Sequence, residues 1–460
     1  MTHVIKGTLC LDQMATHVPH LFEVPEGTRT LRVAFDSSPK HPGVGVFPHL
    51  FSISVYGPNG GRGTRHNNKD QSPVISTGWA SPGYLAGPIE AGQWSVEIDV
   101  HRILPPGNVS YTISVTCDPE ETAAPEETSR PVPAPAKRRG SGWYTGDLHG
   151  HTFHSDGIYS PAEYLEVARG RGYDFVSLTD HNTCSAVPEL RALAGDSMTV
   201  FGGTELTTFN GHAVVLGRDT WTDWRIKEGQ TMSARAQELL DSGALYIIAH
   251  PKSEGHPICT GCRWAYSDML PGPARHVEIW NNAWIGRGNN EEAVKLYYRW
   301  LNEGRRLVAT AGTDTHRPMP PEMRLAANRV FAEDNTAEHI LAALRLGHSY
   351  VTGGPDMHLR VTGVDGVTAG MGDLIAPGHL QIELGWNAGH GGYDLDTLYG
   401  YLIRNGEEAG CWPCKDESET RVQVDGETGD WFTLELRDER GELHGLTNPV
   451  FVGASAGDWT

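Results

Sequence analysis

Histidines and carboxylates in this chain recur where short apolar runs stop. His149 and His151 open the series within GDLHGHTFHSDG, and Asp156 follows in the same segment. His181 comes after YDFVSLTD, Glu205 after TVFGGT, and His212 just before AVVLG. His250 follows ALYIIA, and Asp314 and His316 close the series after RLVATAGT. Imidazole nitrogens and carboxylate oxygens together suit Mn, Fe or Zn, and the residue types do not choose among these ions. Successive residues of an extended chain point to opposite faces, so His149 and His151, two apart, aim at one centre. Asp314 and His316 repeat the device with a carboxylate. Gly150, between the two histidines, leaves room for backbone or metal to approach. Taken singly, a histidine at a strand end is more often a hydrogen-bonded core or surface residue than a ligand. A series of nine changes that balance. A structural ion closes with about four ligands, so the surplus points to two or three ions with open positions, the arrangement of a catalytic centre.

Neighbouring residues have two readings each. Asp180, beside His181, either orients a ligand imidazole or is a plain turn carboxylate. Lys252 and Arg317 either contact an anionic group or are solvated. Glu278 ends the run HVEIWN, and nothing in its spacing demands a role. Trp264, Tyr266, Trp280 and Trp284 cluster in nearby loops, where packing is a commoner fate than walling a pocket. Cys259 and Cys262 form one C-x-x-C pair, and Cys411 and Cys414 a second. Two such knuckles can hold a structural Zn through four thiolates. The long interval between them equally suits free or locally paired thiols. Neither pair opens a helix in a thioredoxin-like unit, which disfavours a redox role.

The elements that must position these groups fall into blocks. Residues 1–118 read as β: LFEV, TLRVAF, LFSISVYG, QWSVEIDV and VSYTISVTC are short alternating runs between turn clusters, the pattern of a sandwich or jelly roll. Residues 119–141 hold charges, five prolines and no core-forming run, which predicts an exposed linker. From 142 to 355 strands alternate with helices, implying a parallel sheet or barrel. SPAEYLEVARGRG has Ser160 as N-cap, Pro161 at the first helical position and Glu163 to complete a capping box. SARAQELLDSG, NNEEAVKLYYRWLNEG and NTAEHILAALRLG are further helices ending at glycine. Residues 356–460 return to β, with RDERGEL as a hairpin turn. In α/β barrels catalytic groups collect at the carboxyl ends of strands, where His181, Glu205, His250 and Asp314 fall.

Composition narrows the function. With 38% hydrophobic and 20% charged residues, the 460-residue chain is globular and large enough for two or three domains. A formal charge of −20 argues against gripping nucleic-acid phosphates over a broad surface. A small-molecule substrate is expected, with no nucleic-acid or membrane partner, and a homo-oligomer is compatible with the sequence. No apolar run is long enough to span a bilayer and the first residues lack a secretory pattern, so a cytoplasmic protein is expected. Seven cysteines do not suggest a secreted disulfide framework.

Taken together, HGHTFHSDG, LTDHN, the glutamate in GGTEL, NGHAVVLG, AHP and GTDTH resemble the PHP (polymerase and histidinol phosphatase) superfamily over about residues 143–355. The tail LAALRLGHSYVTGGPDMHLRVTG, with YLIRNG and TNPVFV, resembles its carbaryl-hydrolase-like branch. The resemblance implies an α/β fold: a distorted (β/α)7 barrel with two or three divalent metals, flanked by N-terminal and C-terminal β-sandwich-like domains. It implies that His149, His151, Glu205 and Asp314 hold one ion and Asp156, His181 and His316 a second, with Glu205 bridging. His212 and His250 match positions that complete a third ion or face the substrate. Where trinuclear members often carry a histidine, this chain has Asp156; His154 is an off-register alternative ranked below it. Two dications sharing a carboxylate lower the pKa of a bridging water towards neutrality and hold it as hydroxide. His212, His250 and Asp314 are the candidate catalytic groups, the histidines as proton donors to the leaving oxygen if they are not ligands. The expected function is a metal-dependent phosphoesterase on a small phosphomonoester or phosphodiester. Hydrolysis of a carbamate, carboxylic ester or amide is the alternative, and a noncatalytic metal-binding scaffold the second.

Overall fold

The strands that carry the ligand series lie side by side in one sheet. The computed structural model describes residues 1–43, 47–66, 71–124, 134–320, 323–389, 392–415 and 418–453. Strands Gly142–Asp147, Phe175–Leu178 and Thr199–Thr208 run parallel to one another. Leu245–Ile248, His276–Asn281 and Val308–Gly312 form a second parallel set. Between the sets lies Gly211–Leu216, antiparallel to both of its neighbours. The sheet is therefore mixed where the alternation of strands and helices predicts a parallel one. Only Phe209 and Asn210 separate Thr199–Thr208 from Gly211–Leu216, too short a link for a parallel crossover, so the two strands make a hairpin.

Five α-helices occur among the described residues: Pro161–Gly170, Val187–Ala194, Met232–Asp241, Asn290–Asn302 and Ala337–Leu346. The first starts at the predicted capping box, with the Ser160 side chain accepting from the Glu163 amide, a cap of about 1 kcal/mol. Val187–Ala194 is the helix the sequence pattern does not announce, being only 8 residues long. No helix among the described residues is long and apolar enough to cross a membrane.

The free edge of Val308–Gly312 is closed by side chains. Asn328 receives the Ala311 amide at 2.9 Å and donates to the Ala311 carbonyl at 2.7 Å. Asn448 receives the Ala309 amide at 2.7 Å. These amides stand in for a missing partner strand and draw the Val308–Gly312 end of the curled sheet towards Ala327–Ala332, which pairs with Gly142–Asp147 on the other end.

The sheet also runs on past residue 355. Ser349–Thr352 pairs with Leu443–Thr447, which continues through Trp431–Asp438 and Leu398–Arg404 to Glu407–Pro413. RDERGEL makes the predicted hairpin turn between Trp431–Asp438 and Leu443–Thr447. A separate four-stranded sheet, which includes Asp356–Gly363 and Gly378–Asn387, packs Val361, Ile382 and Leu384 against Leu402, Phe432 and Leu434.

The described residues of 1–118 form two four-stranded antiparallel sheets around one core that includes Val33, Ile53, Trp94, Val96, Ile98 and Ile113. Strand Gly92–Arg102 is buried on both faces, since Glu97, Asp99 and His101 lie opposite that core and are buried too. What covers them is the central unit: the His17 ring meets Trp224 at 4.7 Å and the His101 ring stacks on it at 5.9 Å. The centre of the linker, 125–133, lies outside the described residues. Its ends are tied down, Thr30 Oγ1 donating to Glu120 O at one and, at the other, Lys137 N donating to Asp196 O and Arg139 pairing with Asp334.

Candidate metal centre

All nine residues of the series meet at one end of the central sheet. His149 and His151 follow strand Gly142–Asp147, His181 follows Phe175–Leu178, His250 follows Leu245–Ile248, and Asp314 and His316 follow Val308–Gly312. Because Gly211–Leu216 runs antiparallel, His212 near its amino end reaches the same place as the carboxyl ends of the parallel strands. Two of these residues have left-handed backbones, His250 at φ 28° and Asp314 at φ 48°. Non-glycine residues adopt that region at a cost, and such strain clusters at functional sites.

Glu205 is the hub. Its Oε2 lies 3.3 Å from His149 Nε2, 3.4 Å from His151 Nε2 and 2.8 Å from His181 Nδ1. Its Oε1 lies 2.9 Å from His212 Nδ1 and 3.0 Å from His250 Nε2. Asp314 Oδ1 sits 3.0 Å from His151 Nε2 and 3.6 Å from His149 Nε2. Asp156 Oδ1 sits 3.3 Å from His181 Nε2 and 3.1 Å from His316 Nε2. The ligand atoms sort into overlapping groups: His151, Asp156, His181 and His316; His149, His250 and Asp314; His149, His151 and Glu205; His181, Glu205 and His212. His151 thus stands between the two sets that the sequence resemblance keeps apart.

The chemistry of this donor set fits metal ions. His149 Nε2, His151 Nδ1 and Glu205 Oε2 are buried without a hydrogen-bond partner, a state that is costly unless something else satisfies them. His149, His151 and Glu205 are fully buried, while the Asp156, Asp314 and His316 side chains are 35%, 20% and 24% exposed, so the open side of the centre lies there. Burial resists charge on Glu205, but the rings of His181, His149 and His212 outweigh it and hold its carboxyl well below the ordinary range. Burial, together with the His316 and His181 rings, pushes His151 down to about 3, leaving a neutral imidazole with a lone pair to share.

A second layer of contacts aims these groups. Glu278 accepts from His149 Nδ1 at 2.9 Å and from the His250 amide at 2.9 Å, and Asn281 Nδ2 bridges it to Asp314 Oδ2 at 3.2 Å. A Cβ on Gly312 would lie 2.2 Å from Glu278 Oε1 and 2.3 Å from His149 Cβ, so only glycine admits this pairing. Asp147 accepts the His149 and Thr313 amides, and Thr207 Oγ1 meets His181 Nδ1 at 2.5 Å. Asp180 touches no imidazole; it holds the loop that carries Asp156, through Thr152 and Ser155. The space at Gly150 is taken by the Tyr164 ring, not by metal. His154 bonds Ser185 at 2.7 Å and belongs to none of the four groups above. Replacing Glu278 with glutamine is expected to weaken metal affinity by about 10–100-fold, the range for outer partners of a ligand. Competition with a graded chelator series checks this, and wild-type affinity would refute the role.

The four-thiolate zinc site is not formed. Cys259 and Cys262 are joined as a disulfide, while Cys411 is exposed on an edge strand and Cys414 is buried in the C-terminal core. Bonded sulfurs are not thiolates, so that grouping drops out. The Cys259–Cys262 loop serves the centre differently: Thr260 O lies 3.3 Å from His212 Nε2 and Cys262 O lies 3.1 Å from His250 Nδ1. These carbonyls stand as acceptors at the outer ring nitrogens, while the inner ones face Glu205.

A cavity of ≈590 Å³ opens over the centre, lined among others by Arg287, Arg317, Ile285, Met319 and Met323. Lys252 faces a different cavity. Trp264, Trp280 and Trp284 belong to the hydrophobic core, with Tyr266 packed against it. The cavity gains His66 from the N-terminal sheets, its ring 4.8 Å from His181 and 4.5 Å from His101. Nothing in the turn segment GTRH marks this residue beforehand.

No protein-family model matches the chain. The uncharacterized protein MJ1587 of Methanocaldococcus jannaschii is 30% identical over 125 residues, which span 25% of this chain and 69% of that protein. The chain belongs to the family of MJ1587. Among solved structures it is similar to a two-domain Bacteroides vulgatus protein containing a predicted PHP-like metal-dependent phosphoesterase, at 15% identity and a TM-score of 0.41, over 71% of this chain and 100% of that one. It is also similar to an amidohydrolase from Chromobacterium violaceum with bound sulfate and no metal, at 18% identity and a TM-score of 0.26, over 38% of this chain and 92% of that one. The MJ1587 relationship is the one that identity and coverage establish.

Proposed function

We propose that this member of the MJ1587 family is a metal-dependent hydrolase of the PHP superfamily acting on a small phosphomonoester or phosphodiester. The observation that carries the reading is Glu205, with nitrogens of five histidines within 3.4 Å of its two oxygens. Each imidazole nitrogen offers at most one hydrogen, and a carboxylate has about four acceptor sites, fewer than the five nitrogens gathered here. Hydrogen bonding alone does not account for such crowding, particularly around an Oε2 without a partner. Lone pairs converging on cations do. Divalent ions held there supply Lewis acidity and an activated water.

In this reading His149, His151, Glu205 and Asp314 would hold one ion and Asp156, His181 and His316 another, with Glu205 placed to serve both. His212 and His250 have both ring nitrogens engaged, which favours ligation at a third position over proton donation. Arg287 and Arg317 on the cavity wall are suited to receive an anionic phosphoryl group. Ile285, Met319 and Met323 in the same cavity are the observation in favour of the second reading, the carbaryl-hydrolase-like branch, in which an aryl carbamate, ester or amide would pack its ring there.

Parallel assays of the Mn-loaded protein on an aryl phosphate, a bis-aryl phosphodiester and an aryl carbamate separate these. Turnover of either phosphate ester is expected. Turnover of the carbamate alone would reject the phosphoesterase reading, and a fully metal-loaded protein inert to all three would favour the scaffold.

A further inference from the structure

The N-terminal sheets carry a second set of ligand atoms, apart from the centre. Strand Gly92–Arg102 points Trp94, Val96, Ile98 and Val100 into its own core, and Glu97 and Asp99 away from it. His17 on the neighbouring strand Thr16–Val24 pairs directly with Asp99 across the ladder. His17 Nδ1 lies 2.7 Å from Asp99 Oδ1 and 3.4 Å from Glu97 Oε1. Both carboxylates are deeply buried, Asp99 at 0% and Glu97 at 4% exposure.

The outer oxygen of each carboxylate is already taken. Ser54 Oγ donates to Asp99 Oδ2 at 2.5 Å, and Arg225 Nη1 donates to Glu97 Oε2 at 3.3 Å. The inner oxygens and the imidazole nitrogen face one another, all within 4.8 Å. Glu97 Oε1 has no hydrogen-bond partner there, and neither has the buried hydroxyl of Tyr56, two residues along the strand from Ser54.

We propose that His17, Glu97 and Asp99 form a separate divalent-metal site of the Zn or Mn class, with water completing the coordination. One imidazole and two carboxylates are a donor set for such ions. Bond lengths of about 2.0–2.2 Å in a tetrahedron place ligand atoms about 3.3 Å apart, which matches the His17–Glu97 spacing of 3.4 Å, while the 2.7 Å between His17 and Asp99 must open to admit an ion. The His17 side chain is 21% exposed, which leaves an entry path. The position also gives the ion a task. The His17 ring packs on Trp224 at 4.7 Å and on Phe209 at 4.9 Å, so fixing that imidazole fixes the N-terminal sheets against the central unit.

The test counts ions. Full-length wild type, H17Q and E97Q are incubated with Zn²⁺, desalted identically and measured for metal equivalents per chain by mass spectrometry. Each variant is expected to hold one equivalent fewer than wild type. Wild-type stoichiometry in both would overturn the site and leave a metal-free ion network. Should the variants fail to fold, wild-type crystals soaked in Zn²⁺ and measured at the zinc edge decide the matter. An anomalous peak among the three side chains supports the site, and none there overturns it.

Discussion

Glu205→Gln is expected to lower kcat by more than about 100-fold, beyond the 10–100-fold range for outer partners of a ligand, and to reduce the metal content of the protein as isolated. The change keeps shape and volume but removes the buried charge that meets five of the centre's histidines. Nitrogens of His149, His151 and His181 gather on one oxygen and those of His212 and His250 on the other. A glutamine presents an NH₂ to one of these sets and repels the cation it should hold. Neutral amide oxygens are also poor at serving two dications at once. The global fold is expected to survive, because the hydrophobic clusters around the central sheet do not include Glu205. Turnover and metal equivalents measured on the same sample check the prediction. Near-wild-type turnover with normal metal content would remove Glu205 from the mechanism.

The second large effect is metal removal. A strong chelator should abolish hydrolysis, and Mn²⁺ or Zn²⁺ should restore it. Without cations the centre keeps Glu205, Asp314 and Asp156 close to the histidines, held only by hydrogen bonds that leave His149 Nε2, His151 Nδ1 and Glu205 Oε2 unmatched. Ligand binding stabilises the folded state by about 4 kcal/mol at a thousandfold excess over Kd, so chelation should also lower Tm by several degrees. Calorimetry with and without restored metal reads this directly. Activity untouched by chelator would end the metallohydrolase reading.

Much of the site was legible because its candidate ligands obey local rules. A histidine or carboxylate just past an apolar run sits at a strand end, and strand ends of one sheet share an edge. Helix starts were equally local, as Ser160 and Glu163 illustrate. The outer layer was not legible. Glu278 lies 129 positions from the His149 it orients, and its role depends on Gly312 leaving room between them. Asp180 is adjacent to a ligand in sequence yet serves the loop of another one. Proximity along the chain says little about which way a side chain points once the strand has ended.

The cysteines and the sheet boundaries teach the same lesson at larger scale. Cys259 and Cys262 paired with each other, and their loop's carbonyls went to His212 and His250. The central sheet continued past residue 355 because Leu443–Thr447 returned to pair with Ser349–Thr352. Periodicity predicts that a segment is a strand, not which edge it will find.

By itself, then, the sequence determined the chemistry available: nine candidate ligands of nitrogen and oxygen type, spaced so that strand ends would gather them. Only the tertiary structure decided how they share Glu205, which side is open, and that His66 and the His17–Asp99 face come from the N-terminal sheets to meet the central unit. The reason is physical. Residue type and period are properties of neighbours along the chain, whereas distances between converging side chains depend on curvature, packing and pairings closed over a hundred residues or more.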